Sequence, residues 1–303
     1  MSSRVGVLGA GAWGSALAYV ARTAGHEVHV WSRQYPESQA LAGCDGLILA
    51  VPAQAAREVL TQLKDVIAGD QPIIIAAKGI EQRSGLFMAE LLAQLVPQAR
   101  AMVLSGPSFA ADVIKGLPTA VVLAAPTLAE AAEWAGRLSL PEFRIYASDD
   151  VRGVEIGGAL KNVLAIACGI SDGRGMGDSA RAALTTRGFA ELVRFSKRLG
   201  AKAETMTGLS GLGDLLLTCS STQSRNYAFG HAIGEGLNVA DALARSKGVV
   251  EGAFTATIAH TLAARYVIDM PIVDAVHAIV DEGGSPDQEI ARLLARPAGK
   301  EIR

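Results

Sequence analysis

Short runs of Val, Ile and Leu recur along the first half of the chain, separated by stretches whose apolar residues return every third or fourth position. Arg4 to Leu8, Val28 to Trp31, Gly46 to Val51, Pro72 to Ala76, Ala101 to Leu104, Thr119 to Leu123 and Phe143 to Tyr146 read as strands. Several are apolar at successive positions, which is the pattern of strands in a parallel sheet covered by helices on both faces. Ala53 to Val66, Leu86 to Val96 and Leu128 to Leu138 carry helical periodicity between them. This alternation predicts an α/β, Rossmann-like doubly wound sheet over residues 1–150.

Beyond Val151 the strand runs all but disappear. Val154 to Ile170, Ser179 to Leu199, Val239 to Ala244, Ala253 to Tyr266 and Pro286 to Leu294 read as helices, so residues 151–303 are expected to form an all-α second domain joined near Ser148 to Gly153. Ser285 followed by Pro286 is an N-cap and first-turn pair for the last helix. A chain of 303 residues accommodates two cores.

Composition narrows the function classes. The formal charge is -2 and aromatics make up 5%, which leaves no sequence-wide field to hold nucleic acid or an anionic membrane surface. Any anionic ligand must be held by local groups. No apolar run is read as approaching the roughly 18 to 20 residues that span a bilayer, so no membrane partner is expected. Cys44, Cys168 and Cys219 are odd in number and lack C-x-x-C spacing, which points to a reducing, cytoplasmic setting. The five histidines are dispersed and no metal site is expected.

Directly after the first strand comes Gly9-Ala10-Gly11-Ala12-Trp13-Gly14, leading into a helix that ends near Gly25. In such a G-x-G-x-x-G turn, Gly9 permits the tight bend, Gly11 lets a pyrophosphate approach the main chain, and Gly14 lets helix and strand pack closely. The helix N-terminus offers free N–H groups to the phosphates. The second strand ends Trp31-Ser32-Arg33-Gln34 without the carboxylate that would bind a ribose 2'-hydroxyl. Arg33 can pair instead with a 2'-phosphate, so NADPH is expected to be accepted at least as well as NADH.

Gly157-Gly158-Ala159-Leu160-Lys161-Asn162-Val163, then Gly208 to Leu215, then Ser224-Arg225-Asn226 resemble the motifs of bacterial NAD(P)-dependent glycerol-3-phosphate dehydrogenases. The Gly9 turn with Trp13, Ala77-Lys78-Gly79-Ile80 and Ser105-Gly106-Pro107-Ser108-Phe109-Ala110 agree in the same order. The resemblance implies a helical half like the C-terminal domain of 6-phosphogluconate dehydrogenase. It also implies reversible reduction of dihydroxyacetone phosphate to sn-glycerol 3-phosphate for phospholipid synthesis. The alternatives are a related dehydrogenase with another small hydroxy substrate, or a catalytically silent dinucleotide-binding protein.

The resemblance assigns Lys161 as proton donor. Its helix is apolar on most sides, where burial would lower a lysine pKa towards neutrality, whereas a neighbouring Asp214 would raise it; sequence leaves open which wins. By resemblance Lys78, Gly106, Ser108 and Asp214 contact substrate, and Ser224, Arg225 and Asn226 hold its phosphate at a helix start. The glycine motif, Arg33 and the resemblance together imply that Gly9, Gly11, Ala12, Trp13, Gly14, Arg33, Lys78, Ala110, Arg225, Val249 and Glu251 face the cofactor. Long apolar helices in the second half raise the expectation of a homodimer.

The family carries a helix, a long loop and a further strand where only Gln34 to Gln39 stand here. Arg33 to Gly46 can just make a crossover, since about 10 to 12 residues suffice, but an edge strand and a wall of the adenosine pocket are expected to be absent. The other reading, favoured because the family's segment here is a loop near the cofactor and such loops are often mobile, is that the sequence omits a loop the full chain contains.

Overall fold

The computed structural model describes residues 2–297. Its first half is a seven-stranded sheet of β1 (Arg4–Leu8), β2 (Glu27–Trp31), β3 (Gly46–Leu49), β4 (Pro72–Ile75), β5 (Arg100–Ser105), β6 (Thr119–Ala124) and β7 (Phe143–Ser148), in the order β2-β1-β3-β4-β5-β6-β7. Helices α1 (Ala12–Thr23) and α5 (Leu128–Leu138) cover one face, packing on Val5, Val7, Ile48 and Ile74. Helices α2 (Ala56–Leu63) and α3 (Met88–Leu95) cover the other, on Leu47, Leu49, Ile73 and Ile75. Neighbouring residues of β3 and β4 thus point into different cores, which is why these strands are apolar at every position.

The expectation of a parallel sheet needs one correction. β6 pairs antiparallel with β5, and β7 runs parallel to β6. The connection from β5 to β6 holds only the short α4 (Ala110–Ile114) and returns along the sheet instead of crossing it, a route open to antiparallel neighbours.

No strand pairs with the outer edge of β2 among the described residues. The chain leaves β2 through a turn in which Ser32 and Tyr35 exchange backbone hydrogen bonds (3.1 and 3.0 Å). A single 3-10 turn at Ser38–Leu41 then brings it over β1 to β3. Leu41, 1% exposed, anchors the crossing by packing against Gly6 and Leu47.

From Val151 onward the chain is helical: α6 (Val151–Gly173), α7 (Asp178–Arg198), α8 (Ala203–Thr207), α9 (Asp214–Thr218), α10 (Arg225–Gly234), α11 (Val239–Arg245), α12 (Glu251–Tyr266), α13 (Pro271–Val280) and α14 (Pro286–Leu294). By length and composition α6 could cross a membrane, contrary to the reading that no run comes close. However, 94% of its apolar window is buried inside the protein, where the other helices surround it. α10 lies along α6 at backbone contact, so that a Cβ on Gly230 would fall on the Ile166 carbonyl oxygen. The periodicity missed α13; its N-terminus is held by Glu191, whose carboxylate accepts from Ile272 N (2.8 Å) and Val273 N (3.2 Å). Ser285 occupies the N-cap position of α14 as expected, but its side chain makes no capping hydrogen bond.

Candidate active site

The glycine turn takes the geometry its residues permit. Gly9 has φ +119, a conformation that L side chains rarely adopt, and a Cβ on Gly14 would fall on the Gly9 carbonyl oxygen. Gly11, the N-cap of α1, makes no side-chain cap, and nothing lies within 4 Å of where its Cβ would be. Gly11 and Ala12 are exposed, so the first N–H groups of α1 face open space. These features fit a dinucleotide pyrophosphate. Arg33 is exposed in the turn that closes β2 and makes no ion pair among the described residues.

Opposite this turn, two lysines share one carboxylate. Asp214, fully buried, heads α9 after a π-helical turn at Leu209–Gly213, in which a Cβ on Gly211 would strike the Met206 backbone. Its Oδ2 accepts from Lys78 Nζ at 2.8 Å and its Oδ1 from Lys161 Nζ. Asp214 therefore does not cap the helix that begins beside it, since Gly213 takes that position. Lys78 also donates to the Gly106 carbonyl oxygen (3.0 Å), and its ammonium stands 6.0 Å from the Trp13 ring centroid. A chain of contacts thus runs from the nucleotide turn to Lys161.

Burial is the largest influence on Lys161, lowering its pKa to about 7; Asp214 pulls it up and Lys78 pushes it down. Desolvation outweighs the attraction of Asp214, and the second ammonium on that carboxylate adds to the lowering. Thr218, which sequence reasoning missed, donates to the Asp214 carbonyl oxygen (2.6 Å) and accepts from Lys161 Nζ (3.0 Å), fixing the amine's direction. Its spacing of four residues from Asp214 on a helix was the available signal.

Gly106 has φ +143, and a Cβ there would press on Val121 Cα at 2.8 Å. The Ser108 hydroxyl donates to the Gly106 carbonyl oxygen (3.0 Å), the same atom that Lys78 holds. Ala110 starts α4.

At α10 the three expected residues part company. Ser224 is the N-cap, its hydroxyl accepting from Tyr227 N at 3.3 Å. Arg225 is exposed in the first turn beside Gly248. Asn226 is buried, donating to Asn162 Oδ1 (2.9 Å) and accepting from Gly252 N (2.9 Å), so it ties α6, α10 and α12 together. Asn162, also missed as a site residue, is therefore held from α10.

Val249 precedes α12, and Glu251 begins it. Glu251 Oε1 accepts from Ala53 N (3.0 Å), linking α12 to the sheet half, and burial raises its pKa to about 6. Its Oε2 and Trp13 Nε1 are buried without a hydrogen-bond partner among the described residues. Among the described residues no three His, Cys, Asp or Glu side chains are grouped to hold a metal.

Residues 150–291 match the model of the NAD-dependent glycerol-3-phosphate dehydrogenase C-terminus, and residues 4–40 and 36–131 match that of the N-terminus. The chain belongs to the NAD-dependent glycerol-3-phosphate dehydrogenase family.

The chain is 50% identical over 322 residues to a glycerol-3-phosphate dehydrogenase [NAD(P)+] of Methylobacterium radiotolerans, covering 97% of this chain and 96% of that one. It is 47% identical over 324 residues to that of Parvibaculum lavamentivorans, with 97% of each covered. A crystal structure of the glycerol-3-phosphate dehydrogenase of Coxiella burnetii superposes with a TM-score of 0.92 at 38% identity, covering 97% and 99% of the two chains. The Parvibaculum alignment is longer than this chain of 303 residues, and the N-terminal match breaks at residues 36–40. The Parvibaculum relative therefore carries residues without counterpart in this chain, and the family match is split within the short connection after β2.

Proposed function

We propose that this chain catalyses the reversible NAD(P)H-dependent reduction of dihydroxyacetone phosphate to sn-glycerol 3-phosphate, supplying glycerophospholipid synthesis. The observation that carries the reading is a buried lysine with a pKa near 7, locked to Asp214 and connected through Lys78 and Trp13 to the glycine turn. When bound, the reduced dinucleotide supplies the hydride. Reduction of a ketone leaves an alkoxide that needs a proton, and Lys161 is placed to donate it. Asp214 and Thr218 aim the ammonium, and Lys78 contributes positive charge for the substrate oxygens.

Arg225, at the exposed N-terminus of α10, is the group for the substrate phosphate, together with the free N–H groups of that helix. Asn226 acts by holding α10 against α6. Gly9, Gly11, Ala12, Trp13, Gly14, Ala110, Val249 and Glu251 line the cofactor side. In this reading residues 1–150 bind the dinucleotide and residues 151–303 supply the proton donor and phosphate site. Cytoplasmic placement accords with three free, buried cysteines. A homodimer through the helical half accords with Leu294, 74% exposed on α14, beside an apolar cavity of about 750 Å³.

The test is loss of nicotinamide absorbance on mixing the protein, NADPH and dihydroxyacetone phosphate. Lys161→Ala is expected to bind NADPH normally while kcat falls by about 10²- to 10⁴-fold, the usual worth of a positioned acid. Near-normal turnover in that variant would remove Lys161 from the chemistry.

A further inference from the structure

The end of β5 holds a hydroxyl that none of the roles above uses. Ser105 is 2% exposed, and its Oγ is buried without a hydrogen-bond partner among the described residues. A buried hydroxyl left unpaired is costly, so each such group in a native structure calls for a partner. Its surroundings say which. The next residue, Gly106, receives the Lys78 ammonium. A methyl built on Gly158 of α6 would stand 2.7 Å from Ser105 Oγ and 3.5 Å from Lys78 Cγ. The Lys78 side chain, 17% exposed, thus packs beside the same glycine.

Helix α6 serves as a ruler for the substrate. Gly158 lies three residues before Lys161 on the same face, one turn towards the N-terminus. α10, which carries the phosphate site, meets α6 from Asn162 onward, through Asn226 on Asn162 and Gly230 on Ile166. Ser105 and the phosphate site therefore lie on opposite sides of Lys161. A three-carbon ketone with its phosphate at α10 and its carbonyl at Lys161 sends its remaining carbon towards Ser105.

We propose that Ser105 is a substrate-binding residue whose hydroxyl hydrogen-bonds the free hydroxymethyl group of dihydroxyacetone phosphate, and so sets specificity for a substrate hydroxylated at that end. This rests on the activity proposed above. Oxidation of NADPH with dihydroxyacetone phosphate by the wild-type protein tests that activity. Comparison with hydroxyacetone phosphate, which has a methyl in place of the hydroxymethyl, tests Ser105.

The wild-type protein is expected to favour dihydroxyacetone phosphate in kcat/KM by at least about tenfold, because a site built to bond a hydroxyl rejects the analogue that lacks it. Ser105→Ala is expected to shrink that ratio about tenfold, by losing activity on dihydroxyacetone phosphate while hydroxyacetone phosphate is little affected. Ser105→Cys, close in volume but a weak donor, should give an intermediate ratio. The affinity for NADPH measured without substrate should not move. A wild-type ratio near one would overturn the assignment even if no variant folds. So would equal loss on both ketones in Ser105→Ala, or a loss confined to NADPH binding, which would give the hydroxyl to the nicotinamide amide.

Discussion

An ammonium paired with a carboxylate ordinarily stays charged far above neutrality. Lys161 departs from this because its nitrogen is enclosed by protein and its one carboxylate also serves Lys78. The consequence is a pH profile of definite sign. With Lys161 as the proposed proton donor, reduction of the ketone uses the protonated amine, so kcat in that direction is expected to fall as pH rises through about 7. Oxidation of the alcohol needs the neutral amine, and its rate is expected to rise over the same interval. Asp214→Asn deletes the attraction and keeps the repulsion from Lys78, so the reductive limb should move to lower pH. A shift to higher pH in that variant, measured in steady-state profiles, would show that Asp214 does not stabilise the Lys161 cation.

At the scale of elements, the site depends on how closely α6 and α10 approach. Lys161 and Asn162 sit on the first helix, and Ser224, Arg225 and Asn226 begin the second. Their separation is set by glycines that allow backbone contact: Gly169 against the Tyr227 carbonyl and Gly230 against that of Ile166. Gly230→Ala puts a methyl where main chain already stands, an overpacking that costs about 1 to 3 kcal/mol. It should lower Tm by several degrees, at about 2 to 4 °C per kcal/mol for a chain of this order. It should also raise KM for the phosphorylated substrate by displacing Arg225. Unchanged melting would mean that the helices yield at little cost.

For the molecule as a whole, the unusual feature is the bare edge of β2. The sheet closes without the extra strand because Leu41 fills the space over β1 and the turn at Ser32 to Tyr35 redirects the chain. In the proposed cofactor site, exposed Arg33 beside the end of β2 carries charge suited to a 2'-phosphate. Arg33→Ala is expected to weaken NADPH about tenfold, the order of a charge-assisted hydrogen bond, with NADH little changed in titrations of each. Equal loss for both would show that Arg33 does not read the 2'-phosphate. An intact mass of 31.4 kDa is expected of a chain that truly makes this short connection.

Much of this arrangement is legible along the chain. The seven strands, the helices of the α/β half and the glycine turn follow from short-range rules, since the periods of strands and helices and the tolerance of glycine for positive φ act within a few residues. The family motifs likewise placed Lys161, Lys78 and Asp214 among the candidates. The tertiary structure alone decided the reversed direction of β6, which depends on where a connection lands and not on the strand's composition. It alone showed that Asn226 is spent on Asn162 and Gly252, that Thr218 accepts from Lys161, and that the Ser105 hydroxyl lies buried beside Gly158. It also decided the contest over the Lys161 proton, because desolvation and the sharing of one carboxylate by two lysines arise from residues more than fifty positions apart.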